Sequence, residues 1–410
     1  MKTIKRIETH DIRYALEGGA GADSVHADPE YSYAVCKLIT DGDVDGIGLA
    51  FTLGGGNDLV CRTIDALADI LIGREIESLM AEFNTVYAQL LDHPQYRWLG
   101  PHKGVVHLAL SSIVNACFDL WAKSRGVPLW KLLIDLSPEQ IVNTLHLRYV
   151  EDVLSRDEAI AMLTQAKQTQ SDRLGVLDTG YPGYDTSIGW FHYTDDTIKE
   201  NIIKSMDEGF GAVKLKVGSV EAERDIRRAN LVREAVGDDV PVMLDANQQW
   251  TLNQAVRICL DFAAMNPYWI EEPTHPDDVT AHETLARAIS PLKLALGEHV
   301  PNQVIFKNYL QTATAGFVQA DCVRLGGVSE FITVSLMARK YGVPIVPHVG
   351  DMGQIHQHLV LFNHIAMDHE ALFLEYIPHL RKHFVHPAIV EDGVYRTPQA
   401  PGSSSDLNGV

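Results

Sequence analysis

Between Val213 and Tyr376 seven apolar runs each end in a charged or ionisable residue. Val-Lys-Leu-Lys ends in Lys216, with Lys214 two residues before it. Val-Pro-Val-Met-Leu ends in Asp245, Tyr-Trp-Ile in Glu271 and Leu-Ala-Leu-Gly in Glu298. Phe-Val-Gln-Ala ends in Asp321, Val-Pro-Ile-Val-Pro in His348 and Leu-Phe-Leu in Glu375. From Lys216 onward the steps are 29, 26, 27, 23, 27 and 27 residues. A buried strand, a loop, a helix and a return loop take about 25–30 residues. Helical periodicity fills the intervals, as at Val220 to Val236 and Leu252 to Met265. Parallel strands that each end in a charge describe the mouth of a (β/α) barrel.

The first part of the chain has a different rhythm. Residues 3–14, 31–42 and 46–56 alternate and are divided by turn signals, which predicts a β-meander. Helical patterns follow at 58–92 and 104–126, so this part reads as an α+β domain, sheet first. Residues 141–149 read as a strand ending in Arg148, and 151–170 as a helix. Residues 171–193, rich in Gly, Tyr and Trp, read as a loop, either packed on the surface or lining the barrel mouth with Tyr184 as a substrate contact. The last thirteen residues, Pro-Gln-Ala-Pro-Gly-Ser-Ser-Ser-Asp-Leu-Asn-Gly-Val, read as disordered.

Charge excludes some functions. A formal net charge of −20 over 410 residues repels nucleic acid and anionic membranes at long range. An anionic substrate would need a cation or basic groups at its site. Cys36, Cys61, Cys117, Cys259 and Cys322 show no Cys-x-x-Cys spacing, which predicts reduced, buried thiols in a cytoplasmic setting. The N-terminal residues lack a signal-like apolar segment, and no membrane span is expected.

Asp245, Glu271 and Glu298 fall at the ends of consecutive strands, and neighbouring strands are about 4.8 Å apart. Three carboxylates on one rim repel unless a cation sits among them, and hard oxygen ligands favour Mg²⁺. Lys214 and Lys216 share one strand face, where burial costs too much unless they face the site. A lysine buried near a metal is driven toward the pKa of a general base. Asn247 shares the face of Asp245 and is a candidate for contact with substrate or with a water on the metal. Asp321 and His348 are expected on adjacent strand ends, where the carboxylate would fix the imidazole tautomer and raise its basicity. Glu375, on the last strand, is placed near the substrate carboxylate, whereas Glu272 points away by alternation. A divalent metal, lysines on one side and a His/Asp dyad on the other suit removal of a proton α to a carboxylate.

At these residues the chain resembles the enolase superfamily, mandelate racemase group. The motifs are KLK (214–216), LDAN (244–247), WIEEP (269–273), GEH (297–299), QADCVRLGG (319–327), PHVG (347–350) and LEY (374–376). Within that group it is most similar to the L-fuconate/L-galactonate dehydratase branch, through segments such as DPEYSYA (28–34) and YRWLGPHKGVVHLA (96–109). The resemblance implies a (β/α)7β barrel over about residues 141–377. It also implies an N-terminal α+β capping domain over 1–140, joined by the tail 378–410. It implies Mg²⁺ on Asp245, Glu271 and Glu298, Lys216 as the base at C2, and His348 with Asp321 as the acid at C3. Lys214 and Glu375 would support the substrate carboxylate, with Arg148, Tyr184 and Asn247 as further contacts. The expected reaction is dehydration of a sugar acid to a 2-keto-3-deoxy acid by a homo-oligomer. A racemase, epimerase or cycloisomerase using the same two bases is the alternative, and a non-catalytic binder on the same scaffold a second. The chain departs from the branch at His146, Asp185, Ser329, Asp351 and His356. These changes leave the chemistry intact and bear on which sugar acid is taken.

Overall fold

The computed structural model describes residues 2–369 and 371–410. Strands β1 (Ile4–Ala15), β2 (Glu30–Thr40) and β3 (Gly46–Thr52) form an antiparallel meander. The helix Gly104–Ser124 lies across it. At Gly48 a Cβ would stand 1.9 Å from the Ser112 carbonyl oxygen, so only glycine lets the helix approach this closely. The Ser112 hydroxyl reaches the carbonyls of Ala34 (2.9 Å) and Gly48 (2.8 Å) and accepts from the Cys36 amide. By length and mean hydropathy (1.5) this helix could cross a membrane, yet 83% of that window is buried within the fold. It is the central helix of this α+β unit. All five cysteines are free and buried.

The barrel runs β4 (Tyr181–Gly189), β5 (Val213–Lys216), β6 (Val242–Asp245), β7 (Ile270–Glu271), β8 (Leu294–Leu296) and β9 (Ala315–Val318), each parallel to the next. The seventh position is a single parallel bridge between Val318 and Ile345. Pro344 and Pro347 have no amide proton, so this segment cannot extend its ladder. β10 (Leu374–Tyr376) then pairs with β4 and closes the ring. Helices follow the first seven strand positions, from Asp195–Asp207 to Ile355–Met367, which is a (β/α)7β barrel. Tyr184, Ala212, Met243, Trp269, Ala295, Phe317 and Val346 pack together as the apolar filling of the barrel.

Three expectations fail here. Residues 141–149 are not a strand: they finish the helix Pro138–Val142 and continue as irregular structure and turn. The first barrel strand is β4, inside the stretch expected to be a loop. Its Pro182, Gly183 and Gly189 hide the strand pattern, and its register shifts between Asp185 and Gly189. The tail is packed rather than disordered. β12 (Val394–Tyr395), which pairs with β11 (Val390–Glu391), also pairs with β4. The chain then returns to the helix Gly104–Ser124, where Asp119 accepts from the Ser403 amide (2.7 Å) and hydroxyl (2.9 Å). Asp119 also accepts from the Ile47 amide (2.8 Å) and pairs with Lys123 (2.8 Å). One fully buried carboxylate thus ties sheet, helix and tail together. Asp119→Ala leaves the buried Ile47 and Ser403 amides without this acceptor and leaves Lys123 with Asp406 alone. It is expected to cost about 3–5 kcal/mol, read as a lower urea midpoint.

Candidate active site

The strand register sets the site. Lys216 is opposite Asp245, and Asp245 is opposite Glu271. Glu271 is opposite Ala295, three residues before Glu298, and Leu296 is opposite Val318, three before Asp321. Alternation turns Lys214, Lys216, Asp245 and Glu271 into the barrel above its apolar filling, and all four are buried.

Lys214 Nζ lies 2.9 Å from Glu271 Oε1, 2.7 Å from Glu375 Oε1 and 3.7 Å from Asp245 Oδ2. The Trp269 indole N–H donates to Glu271 Oε2 at 3.0 Å. Glu375 accepts from the Thr186 hydroxyl (2.7 Å) and the Val349 amide (3.0 Å). Lys216 is ion-paired with Asp245, whose other oxygen accepts from the Asn247 amide at 3.0 Å. Across the mouth, His348 Nδ1 lies 2.8 Å from Asp321 Oδ2, and His348 Nε2 lies 3.7 Å from Glu298 Oε2. Asp245, Glu271 and Glu298 can each bring one carboxylate oxygen within 4.8 Å of the others. This trio is therefore flanked by Lys216 on the Asp245 side and by His348 on the Glu298 side.

Charge inside this shell does not balance. The ammonium groups of Lys214 and Lys216 face the carboxyl groups of Asp245, Glu271, Glu298 and Glu375, which when all ionised exceed them by two negative charges. Burial and the nearby Asp245 push the Glu271 carboxyl up to about 8. Glu298 Oε2 is buried with no hydrogen-bond partner. A donor set made of oxygens alone, with an orphaned acceptor and two surplus charges, fits a hard divalent cation. Burial opposes the charged form of His348, but Glu298 and Asp321 outweigh it and raise the imidazole to about 10. Burial likewise opposes the charge on Lys216, but Asp245 holds the ammonium above its ordinary value. The expected fall of the Lys216 pKa is thus absent while Asp245 is its partner.

Two proposed contacts are not at this site. Arg148 is exposed, 3.5 Å from Asp92 and stacked over Tyr149. Tyr184 is fully buried in the barrel filling, edge-on to Trp269, below the lysines rather than at the mouth. Asn247 does lie beside Asp245, buried, with its Oδ1 unpartnered. Of the departures, Asp185 accepts from Ser187 on the strand face opposite Tyr184 (2.7 Å). His146 stacks on Tyr87, and Ser329 is buried in the helix Gly327–Tyr341. Asp351 accepts from the Tyr33 hydroxyl of the N-terminal sheet.

Comparison with known proteins agrees with this geometry. Residues 197–409 match the model of the enolase C-terminal domain-like family. Residues 22–133 match the mandelate racemase / muconate lactonizing enzyme N-terminal domain. The chain belongs to the enolase superfamily, in the mandelate racemase group. It is 39% identical to mitochondrial enolase superfamily member 1 of Homo sapiens, over 98% of this chain and 93% of that protein. The crystal structure of that human protein superposes with a TM-score of 0.96 at 38% identity, covering 99% and 94% of the two chains. L-galactonate dehydratase of Hypocrea jecorina is 38% identical, over 99% of this chain and 92% of that one. L-talarate/galactarate dehydratase of Salmonella typhimurium LT2, solved with Mg and L-lyxarohydroxamate, has a TM-score of 0.79 at 25% identity, covering 100% and 91%.

In this member of the superfamily the motif residues did not include every group at the site. Glu272, just past β7 at a left-handed φ of 42°, is held by His299 Nδ1 (3.0 Å) and the Gln248 amide (2.7 Å), and can bring an oxygen within 4.8 Å of Glu298. Thr186, on the unrecognised first strand, supports Glu375. His356 reaches Asp321 from the helix Ile355–Met367. Its mark in the sequence was an unusual residue type after PHVG, with no spacing to tie it to Asp321.

Proposed function

We propose that this protein is a Mg²⁺-dependent dehydratase of a six-carbon sugar acid of the L-fuconate or L-galactonate type. The observation that carries the reading is the placement of a lysine and an imidazolium on opposite flanks of one carboxylate trio. Two dehydratases among the relatives support it.

Asp245, Glu271 and Glu298 would hold the metal, which offsets the second negative charge that builds on the substrate carboxylate when C2 loses its proton. With Asp245 engaged there, Lys216 would lose the carboxylate that keeps it protonated, and burial would favour the neutral amine. That amine takes the C2 proton. The electron pair of the C2–H bond moves onto the substrate carboxylate as an ene-diolate, then returns to form the C2=C3 bond as the C3–O bond breaks. The departing hydroxyl takes the proton of His348 Nε2 and leaves as water. The resulting enol gains a proton at C3, loses the proton of its C2 hydroxyl and becomes the 2-keto-3-deoxy acid. Lys214, kept charged by Glu375, sits where the substrate carboxylate gathers charge. Asp321 holds His348 through Nδ1, so that Nε2 faces the site.

Purified protein with Mg²⁺, screened against a panel of sugar acids, is expected to form a 2-keto-3-deoxy product that semicarbazide traps. L-Fuconate or L-galactonate is the expected substrate. C2 proton exchange in D₂O without any keto product would instead identify an isomerase. No exchange with any sugar acid would overturn the enzyme reading.

A further inference from the structure

Asp321 carries two imidazoles, one on each oxygen. His348 Nδ1 is 2.8 Å from Oδ2, and His356 Nε2 is 2.9 Å from Oδ1. Oδ1 also accepts from the Val323 amide at 2.8 Å. His356 is buried in the first turn of the helix Ile355–Met367, with its ring against Phe331. The Cys322 amide nitrogen lies 3.1 Å from the same Nε2, so Asp321 and Cys322 compete for that nitrogen. A hydrogen bond to a charged acceptor is about twice as strong as a neutral one, and Oδ1 is also the nearer partner. The proton therefore sits on Nε2 and points at Asp321.

We propose that His356 is a positioning residue for the acid: it clamps the outer oxygen of Asp321, and through Asp321 it fixes the direction of His348. Asp321 lies beyond the end of β9, in the loop that leads to the helix Gly327–Tyr341. Strand pairing does not hold its side chain. Without His356, one backbone amide alone would restrain Oδ1, and the carboxylate plane could turn. His348 would turn with it, and Nε2 would miss the departing oxygen. Lys216, on the other flank of the trio, has no contact with this chain of groups.

The inference rests on the proposed dehydration, and its test separates the two halves of that reaction. His356→Leu is expected to slow formation of the keto product roughly 10- to 100-fold, the effect of about 1 Å of misplacement. C2 hydrogen exchange in D₂O should stay within a few-fold of wild type, with KM little changed. His356→Gln, whose amide N–H can replace Nε2–H, is expected to recover most of the loss. His356→Asn, too short to reach Asp321, should behave like His356→Leu and serves if the leucine variant fails to fold. Elimination at the wild-type rate in either short variant would overturn the proposal. So would a parallel fall of exchange and elimination that glutamine does not rescue. A readout that needs no turnover is the low-field imidazole N–H resonance of His348. It should move or broaden in His356→Asn, and an unchanged resonance would overturn the proposal even if no substrate were found.

Discussion

Lys216→Ala is expected to lower the dehydration rate by about 10³-fold or more and to abolish C2 hydrogen exchange with it. General base catalysis contributes roughly 10²- to 10⁴-fold. Lys214, 3.7 Å from Asp245, cannot substitute, because Glu375, which is outside the trio, holds it and keeps it charged. His348→Asn should give the complementary result: elimination falls by a similar factor while exchange at C2 persists. That split follows from the geometry. Lys216 touches Asp245 and His348 touches Asp321, and among the described residues none bonds to both. Measuring deuterium uptake beside keto-acid formation in each variant checks it. Loss of exchange in His348→Asn would show that the imidazole, rather than the lysine, takes the C2 proton. Unchanged dehydration in Lys216→Ala would end the assignment of the base.

The barrel and its rim were legible because each strand end from β5 onward carries a charge that burial tolerates only at a site. The same logic explains what stayed hidden. β4 ends in Ser-Ile-Gly, with no charge to announce it, and it opens on Tyr-Pro-Gly, which reads as a turn. With its first strand unseen, the alternating Thr-Leu-His-Leu-Arg-Tyr at 144–149 took its place. That error carried Arg148 and Tyr184 into the expected site. Alternation records a possible strand, but only a neighbour makes one, and among the described residues no strand pairs with 144–149. The tail misled for a related reason. Its Ser, Gly and Pro residues look solvated, yet the carboxylate that orders Ser403 is 284 residues away. Long-range hydrogen bonds of this kind, like that between His356 and Asp321, leave no local periodicity to read.

Removing divalent metal is expected to abolish activity reversibly, and adding Mg²⁺ to metal-free protein should raise its melting temperature. Two ammonium groups cannot neutralise four buried carboxylates, and Glu271 pushed up to about 8 shows how strongly burial and Asp245 oppose its charge. A cation among these oxygens removes that opposition in the folded state and has no such cluster to bind in the unfolded chain. At a concentration one hundred times its Kd it would add about 2.7 kcal/mol. For a chain of this length that is a rise of about 3 °C. Glu298→Gln tests the site by removing one carboxylate of the trio; Glu298 Oε2 has no hydrogen bond to lose, although its attraction to His348 (3.7 Å) goes with the charge. The metal-free variant should melt close to metal-free wild type, and the Mg²⁺-dependent rise should shrink or vanish together with dehydration. A full rise in Glu298→Gln would place the cation elsewhere. The Glu272, Glu298 and His299 group also shares Glu298. Glu271→Ala distinguishes the two groups: it should abolish Mg²⁺ stabilisation if the trio is the site, and leave it intact if the Glu272 group is.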